Sequence, residues 1–302
     1  MATEDHPAAT HATLGGNGCP VCGSAVRRAM DVGTFELFSC SRCGCWCSNA
    51  FVRNAGTSFA PDGYFRNPRA DEPKWDALLG RVTAGAQQPA SVLDVGCGTG
   101  AFLTFLRERI PGLRQAGIEL DPGRAAEARQ ANPAADVRAG DALRTLAEID
   151  GRFDLITLWD VFEHVTQPAA LLRALGARLE PGGHLFIQTI HEDSIVPRLG
   201  RLSYRLSGGL LRGLARRTHD AHHLVFFTRT GIAELARDEG LQIVSLWFDR
   251  LALARMDGNP LVTRATALLL ALENALGNGL FLNVLLRAAP ARPPQGRARD
   301  NA

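Results

Sequence analysis

Residues Val92–Gly100 read VLDVGCGTG: an apolar run, an acid, then glycine at three of the last five positions. An apolar strand followed by a glycine-rich turn and the amphipathic stretch AFLTFLRERI is a strand–turn–helix unit. Gly96, Gly98 and Ala101 satisfy the G-x-G-x-x-G/A spacing with which such a unit lays its backbone against a nucleoside cofactor. The spacing alone does not separate a dinucleotide from another nucleoside. Asp94, at the strand end, can face an ammonium group, and Gly100 adds a third flexible point. Glu119 closes the next strand, about 20 residues beyond the loop, where a carboxylate can accept both hydroxyls of a ribose. Asp141, in AGDAL after a third strand, comes within reach of an adenine amino group.

Working outward, the chain from residue 91 alternates β-like and α-like segments. Strands are expected at SVLDV, LRQAGIEL, ADVRA, FDLITLW, HLFIQTI, LQIVSLWF and GLFLNVLLR, with helices between them. This alternation predicts an α/β fold, a doubly wound, seven-stranded, mostly parallel sheet with ligands at the carboxyl ends of the strands.

Six of the seven cysteines lie between Cys19 and Cys47. Cys19 and Cys22 form CPVCG, Cys40 and Cys43 form CSRCG, and 17 residues separate the pairs. That spacing predicts a four-thiolate Zn²⁺ site on a small N-terminal zinc ribbon. Gly23 and Gly44 let each knuckle turn tightly. Four thiolates leave no open coordination position, so the metal is expected to be structural. Spacing alone leaves an iron–sulfur cluster open. Cys45 and Cys47 fit the pattern less well than Cys43 and are read as packing thiols.

The chain has 302 residues, 46% hydrophobic and 21% charged, with net charge +2. Lys74 is the only lysine. The start of the chain lacks the basic and apolar regions of a secretory signal, and no apolar run reaches the ~18 residues of a spanning helix. A cytoplasmic location is expected. Over residues 19–50 the ribbon's only basic residues are Arg27, Arg28 and Arg42, and Tyr64 and Tyr204 are the only tyrosines in the chain. Both facts disfavour nucleic acid as partner. The expected organisation is a disordered leader (1–18), zinc ribbon (19–58), linker and helix (59–89), cofactor-binding domain (90–290) with an inserted lid (191–220), and a disordered tail (291–302).

VLDVGCGTG, GIELDP, AGDAL, FDLITLWDVFEHV and LEPGGHLFIQT, in this order, resemble the class I S-adenosylmethionine-dependent methyltransferases, over residues 60–288. The resemblance implies S-adenosyl-L-methionine as cofactor and an antiparallel hairpin of the last two strands. It adds Leu120, Ala142 and Trp159, each beside one of the acidic residues, to the cofactor set of Asp94, Gly96, Gly98, Gly100, Glu119 and Asp141. The ribbon, Tyr64-Phe65 and HHLVFFT (His222–Thr228) resemble a bacterial subgroup similar to sugar and polysaccharide methyltransferases. This implies a small-molecule or glycan acceptor methylated on a hydroxyl. An RNA methyltransferase reading its substrate through the ribbon, and a small-molecule O-methyltransferase needing a divalent metal, are the rival readings.

DVFEHV (Asp160–Val165) follows the fourth strand and so faces the transferred methyl group and the acceptor. Three readings stay open: Glu163 and His164 brace a loop; His164 or His223 is a general base; or Asp160, Glu163, His164 and a later histidine hold a divalent ion. The candidate catalytic residues are thus Asp160, His164 and His223. The insertion repeats arginine beside leucine: Arg198, Arg201 and Arg205 with Leu199, Leu202 and Leu206, then Arg212, Arg216 and Arg217. It reads as a lid whose arginines bind a phosphorylated or nucleotide-linked sugar, with membrane-surface contact the lesser alternative. Oligomeric state is not legible.

Overall fold

The computed structural model of the protein describes residues 18–49, 69–84, 88–219, 221–249 and 260–289. Residues 1–17 of the expected leader, Tyr64-Phe65 and the tail lie outside the described residues.

Three short strands open the chain: β1 (Val26–Asp31), β2 (Glu36–Cys40) and β3 (Trp46–Ser48). Helix α1 (Glu72–Thr83) starts with a proline in its first turn and buries Trp75, Leu78 and Val82. The main domain then runs β4 (Ser91–Val95), α2 (Ala101–Arg109), β5 (Arg114–Glu119), α3 (Pro122–Ala131), β6 (Asp136–Ala139), α4 (Ala142–Thr145) and β7 (Phe153–Trp159). It continues with α5 (Pro168–Gly176), β8 (Leu179–Ile190), α6 (Ile195–Leu206), α7 (Arg212–Thr218), β9 (Val225–Phe226), α8 (Arg229–Asp238), β10 (Leu241–Asp249), α9 (Pro260–Ala275) and β11 (Phe281–Ala288).

Seven strands form one sheet in the order β6-β5-β4-β7-β8-β11-β10. β4 pairs in parallel with β5 and β7, β5 with β6, and β7 with β8; β11 is antiparallel to both β8 and β10. The expected α/β architecture is therefore present, antiparallel hairpin included. Every residue of β4 is buried, which is why it reads as a continuous apolar run rather than an alternating one. Helices cover both faces: α2 buries Phe102, Leu103, Phe105 and Leu106, and α5 buries Leu171, Leu172 and Leu175. β8 begins earlier than HLFIQTI suggests. At Gly183 a Cβ would lie 2.9 Å from the Phe153 carbonyl oxygen, so the glycine lets the backbones close on each other and pairing extends to Leu179.

The cysteine-rich segment builds a second sheet, β1-β2-β3-β9, whose last strand comes from beyond the insertion. β3 pairs with β9 through Trp46↔Phe226 and Cys47↔Val225. The Thr228 hydroxyl caps α8 by accepting from Gly231 N (3.0 Å) and donates to the Cys43 carbonyl (2.7 Å). Ribbon and main domain thus share one hydrogen-bonded seam.

The insertion is docked beside that seam. Gly200 of α6 lets α7 approach, since a Cβ there would lie 3.2 Å from Ala215 Cα. Glu192, fully buried, binds His219 Nε2 (3.1 Å) and the Arg201 guanidinium, which lies over the Trp46 ring. Arg201, expected on a ligand-facing lid, instead neutralises this buried carboxylate. Among the described residues no helix is long and apolar enough to cross a membrane.

Candidate active site

At the end of β4 the backbone turns through Gly96 (φ 76°), Gly98 (φ 54°) and Gly100 (φ 81°), all in the left-handed region that glycine adopts without strain. A Cβ on Gly96 would overlap Val161 Cγ2, and one on Gly100 would lie 2.6 Å from Asn132 Nδ2. Asn132, almost fully buried, donates to the Gly100 carbonyl (3.0 Å) and accepts from the Thr104 hydroxyl (3.0 Å). The turn is therefore clamped from both sides. Cys97 is buried, its Sγ set against Gly117, where a Cβ would come within 2.9 Å; it fills space left by a glycine.

Glu119 closes β5 with its side chain buried. Its Oε2 accepts from Gly98 N (2.9 Å) and its Oε1 from Asp121 N (3.0 Å). Asp94 is 2% exposed, and its Oδ1 accepts from the Thr157 hydroxyl across the β4–β7 ladder (2.7 Å). Burial, with a smaller contribution from the Glu119 charge, pushes the Asp94 carboxyl up to about 7. A cation placed there would restore ionisation. Asp141 caps α4 by accepting from Arg144 N (3.2 Å), with Ala142 as the first residue of that helix. Leu120, beside Glu119, keeps 38% of its surface exposed. Trp159 ends β7 among Phe102 and Phe186, and its Nε1 is buried with no acceptor among the described residues.

The acidic–histidine cluster begins one residue on. Asp160 has φ 53°, the one positive φ outside glycine among the described residues. This local strain reverses the chain at the carboxyl end of β7. A single 3₁₀ turn, Phe162–His164, follows. Glu163 is 1% exposed, and its Oε2 accepts from the Thr189 hydroxyl of β8 (2.9 Å). Burial first, and the nearby Asp160 charge second, raise the Glu163 carboxyl to about 8. His164 Nδ1–H donates to the His222 carbonyl (2.9 Å), which leaves the neutral ring's lone pair on Nε2. His223 stands edge-on to it, ring centroids 4.9 Å apart. Ligand atoms of Glu163, His164 and His223 all lie within 4.8 Å of one another.

Sequence reasoning reached the acids and histidines but missed Thr157 and Thr189, which donate to Asp94 and Glu163, and Asn132, which clamps the glycine turn. A polar residue inside an otherwise apolar strand, as in FDLITLW, was the available signal.

In the ribbon, Cys19, Cys22, Cys40 and Cys43 gather with their sulfurs within 4.8 Å of one another. The Cys19–Cys43 and Cys22–Cys40 pairs are both at 3.5 Å. A tetrahedral site with Zn–S bonds of ~2.3 Å sets its sulfurs about 3.8 Å apart, so the cluster fits a zinc ion. Gly23 and Gly44 take φ 70° and 72°, and their amides donate to the Cys19 and Cys40 carbonyls (2.8 and 3.1 Å). Cys45 and Cys47 are buried outside the cluster; Cys45 Sγ accepts from Thr228 N (3.5 Å).

A doubly wound seven-stranded sheet with an antiparallel penultimate strand in spatial order, a glycine turn after its first strand and an acid after its second defines the class I S-adenosylmethionine-dependent methyltransferase domain. Residues 68–246 match the family described as "Methyltransferase domain", and the chain belongs to that family. It is 31% identical over 157 residues to a ubiquinone biosynthesis O-methyltransferase of Pseudomonas paraeruginosa, covering 51% of this chain and 65% of the relative. The corresponding protein of Xanthomonas euvesicatoria pv. vesicatoria is 33% identical over 51% of this chain and 63% of its own length. The chain thus spans a little under two thirds of these relatives. Among solved structures, the plantazolicin methyltransferase BamL with a desmethyl analogue and S-adenosylhomocysteine superposes at TM-score 0.52, with 16% identity over 76% of this chain and 88% of its own. An S-adenosylmethionine-dependent methyltransferase from Clostridium acetobutylicum superposes at TM-score 0.50, with 12% identity over 75% and 96%. At these identities the likeness is one of fold.

Proposed function

We propose that the protein transfers a methyl group from S-adenosyl-L-methionine to a hydroxyl of a small-molecule acceptor. We further propose that Glu163, His164 and His223 would hold a divalent cation, which would supply Lewis-acid activation of the acceptor hydroxyl. The observation carrying this reading is the convergence of one buried carboxylate and two imidazoles at the carboxyl end of β7, the sheet end where ligands of such folds bind. A buried carboxylate raised to about 8 is poorly compensated by the chain itself, and its chemistry together with imidazole nitrogen fits a divalent ion. Such an ion would lower the pKa of a bound hydroxyl.

In this account Glu119 holds the ribose and Asp94 faces the cationic methionyl end. Asp141, Ala142 and Leu120 flank the adenine, and Trp159 borders the methyl group. The glycine turn positions the cofactor's backbone contacts, Asp160 reverses the chain toward the acceptor, and exclusion of water between cofactor and acceptor supplies much of the acceleration. The O-methyltransferase names of the sequence relatives support an oxygen acceptor. The ribbon's four thiolates would hold Zn²⁺ as a structural ion.

A second reading has its own observation. The His222 carbonyl fixes the His164 tautomer, so His164 Nε2 could take the hydroxyl proton directly. One experiment separates the two. Purified zinc-loaded protein is incubated with radiolabelled S-adenosylmethionine, panels of small hydroxylated and sugar acceptors and total RNA, before and after chelation and with Mg²⁺ or Mn²⁺ restored. Label in a small-molecule acceptor, lost on chelation and restored by Mg²⁺ or Mn²⁺ but not by Zn²⁺ alone, is the expected result. Activity indifferent to chelation assigns the base role to His164, and label only in RNA overturns the acceptor class.

A further inference from the structure

From Ile195 to Thr218 the chain carries six arginines and no acidic residue. α6 buries Pro197 and Gly200 on its inner side. Its outer side presents Leu199, Leu202 and Leu206, and the turn into α7 adds Leu210 and Leu211. Exposure climbs toward the tip: 80% at Leu206, 86% at Leu210 and 61% at Leu211. Clustered leucines this exposed mark an interaction surface rather than the scattered apolar residues of an ordinary exterior.

The tip holds a defined shape. Gly208 and Gly209 turn at φ 62° and 89°, and Gly209 N donates to the Tyr204 carbonyl (2.8 Å). Leu211 N donates to Ser207 Oγ (2.9 Å) and Arg212 Nε to the Gly209 carbonyl (3.0 Å). Beneath it, the Tyr204 hydroxyl accepts from Asp31 N of the ribbon (3.1 Å). At the other end of α6, buried Glu273 of α9 accepts from Ile195 N (2.7 Å). The hairpin is therefore pinned at both ends while its leucines point away from the protein.

We propose that this hairpin docks the protein on an anionic phospholipid bilayer, with Leu206, Leu210 and Leu211 entering the headgroup region. Arg198, Arg205, Arg212 and Arg216, all exposed, meet the lipid phosphates. The nearest acids, Asp193 beside Arg198 (3.5 Å) and Asp31 beside Arg212 (3.7 Å), are themselves solvent-accessible and compensate these two arginines only in part. Basic flanks around an apolar edge complement anionic headgroups. The same face is a poor match for a second copy of itself, because a twofold contact would set arginine against arginine.

Co-sedimentation of the full chain with vesicles tests this. Vesicles of phosphatidylcholine with about one third phosphatidylglycerol should retain the protein, and pure phosphatidylcholine should hold it at least about tenfold more weakly, with binding that weakens as salt rises. Replacing Leu206→Glu, Leu210→Glu and Leu211→Glu together should cut binding to the anionic vesicles about tenfold or more. S-adenosylhomocysteine affinity and thermal midpoint should stay unchanged in that variant, because these side chains face solvent. Absence of vesicle binding, or equal binding by wild type and the triple variant, overturns the proposal. A dimer in analytical ultracentrifugation that the triple variant converts to monomer also overturns it, in favour of a second copy. None of these readouts needs methyl transfer, so the fate of the catalytic reading is decided separately.

Discussion

His164 and His223 stand edge to face, 4.9 Å between ring centroids, although they come from opposite sides of the inserted helices. Short bonds make the meeting. The His222 carbonyl accepts from His164 Nδ1, and Leu224 N donates to the Glu163 carbonyl (2.8 Å). On its other side the Leu224 carbonyl accepts from Ser48 N of the ribbon (3.0 Å). The histidine pair is thus tied to the strand that completes the cysteine-rich sheet.

His223→Ala should lower kcat by roughly 10²–10⁴-fold, the usual scale for a lost acid–base or ligand group, with S-adenosylhomocysteine affinity within about twofold of wild type. Steady-state kinetics beside a calorimetric titration checks it. A parallel loss of cofactor affinity would mean the histidine supports the fold rather than the chemistry.

Cofactor affinity should strengthen as pH rises through about 7. Asp94 is held up near 7 by burial, so below that pH it is protonated, and a cationic ligand must displace the proton. Affinity should then fall up to about tenfold per unit of pH on the acid side and level off above. The same raised value means the folded chain binds more protons than the unfolded one between the ordinary aspartate value of 3.8 and about 7. Asp94 therefore withdraws stability as pH climbs through that window in the ligand-free protein. Asp94→Asn should flatten the affinity profile and weaken binding by roughly 10–100-fold.

Gly96→Ala should damage both stability and cofactor binding. The new Cβ would overlap Val161 and would sit at φ 76°. A loss of about 1–3 kcal/mol is expected from overpacking and strain together. Thermal unfolding with and without S-adenosylhomocysteine measures it; an unchanged midpoint would show that the β4 turn and the β7 loop move apart freely.

Thr228→Val removes one hydroxyl that serves two elements, the cap of α8 and the Cys43 carbonyl. The cap is worth about 0.5–2 kcal/mol and the buried bond about 0.5–1.5 kcal/mol. Stability should fall by about 1–3 kcal/mol, with bound zinc near one per chain by atomic absorption. Cys43→Ser, by contrast, should release the zinc. If zinc content is unaffected by Cys43→Ser, the four-thiolate assignment is wrong.

The main sheet was legible because buried parallel strands leave long apolar runs and the glycine turn has few alternatives: β4 and β7 fall on SVLDV and FDLITLW. The second sheet was not. β9 is only Val225–Phe226, too short for a periodic signal, and it forms because β3 offers an open edge. Arginine recurring beside leucine in the insertion predicts arginines that face a ligand. That alternation of arginine and leucine could not reveal that Arg201 turns inward to a buried Glu192, since that depends on the acid lying at the end of β8. For the acceptor site, DVFEHV showed the residue types. Only the crossing of the His222–Leu224 segment over the 3₁₀ turn showed that Glu163, His164 and His223 converge.

The most direct test of the acceptor site is a Mn²⁺ titration followed by electron paramagnetic resonance. It would use zinc-loaded wild type and Glu163→Gln, at a pH above the raised carboxyl of Glu163, about 8.5. One Mn²⁺ per wild-type chain is expected, weakened about tenfold for each pH unit below about 8 as protons compete, and no such site in Glu163→Gln. Uptake that is identical in the two proteins, or absent from both, would contradict a cation at the end of β7.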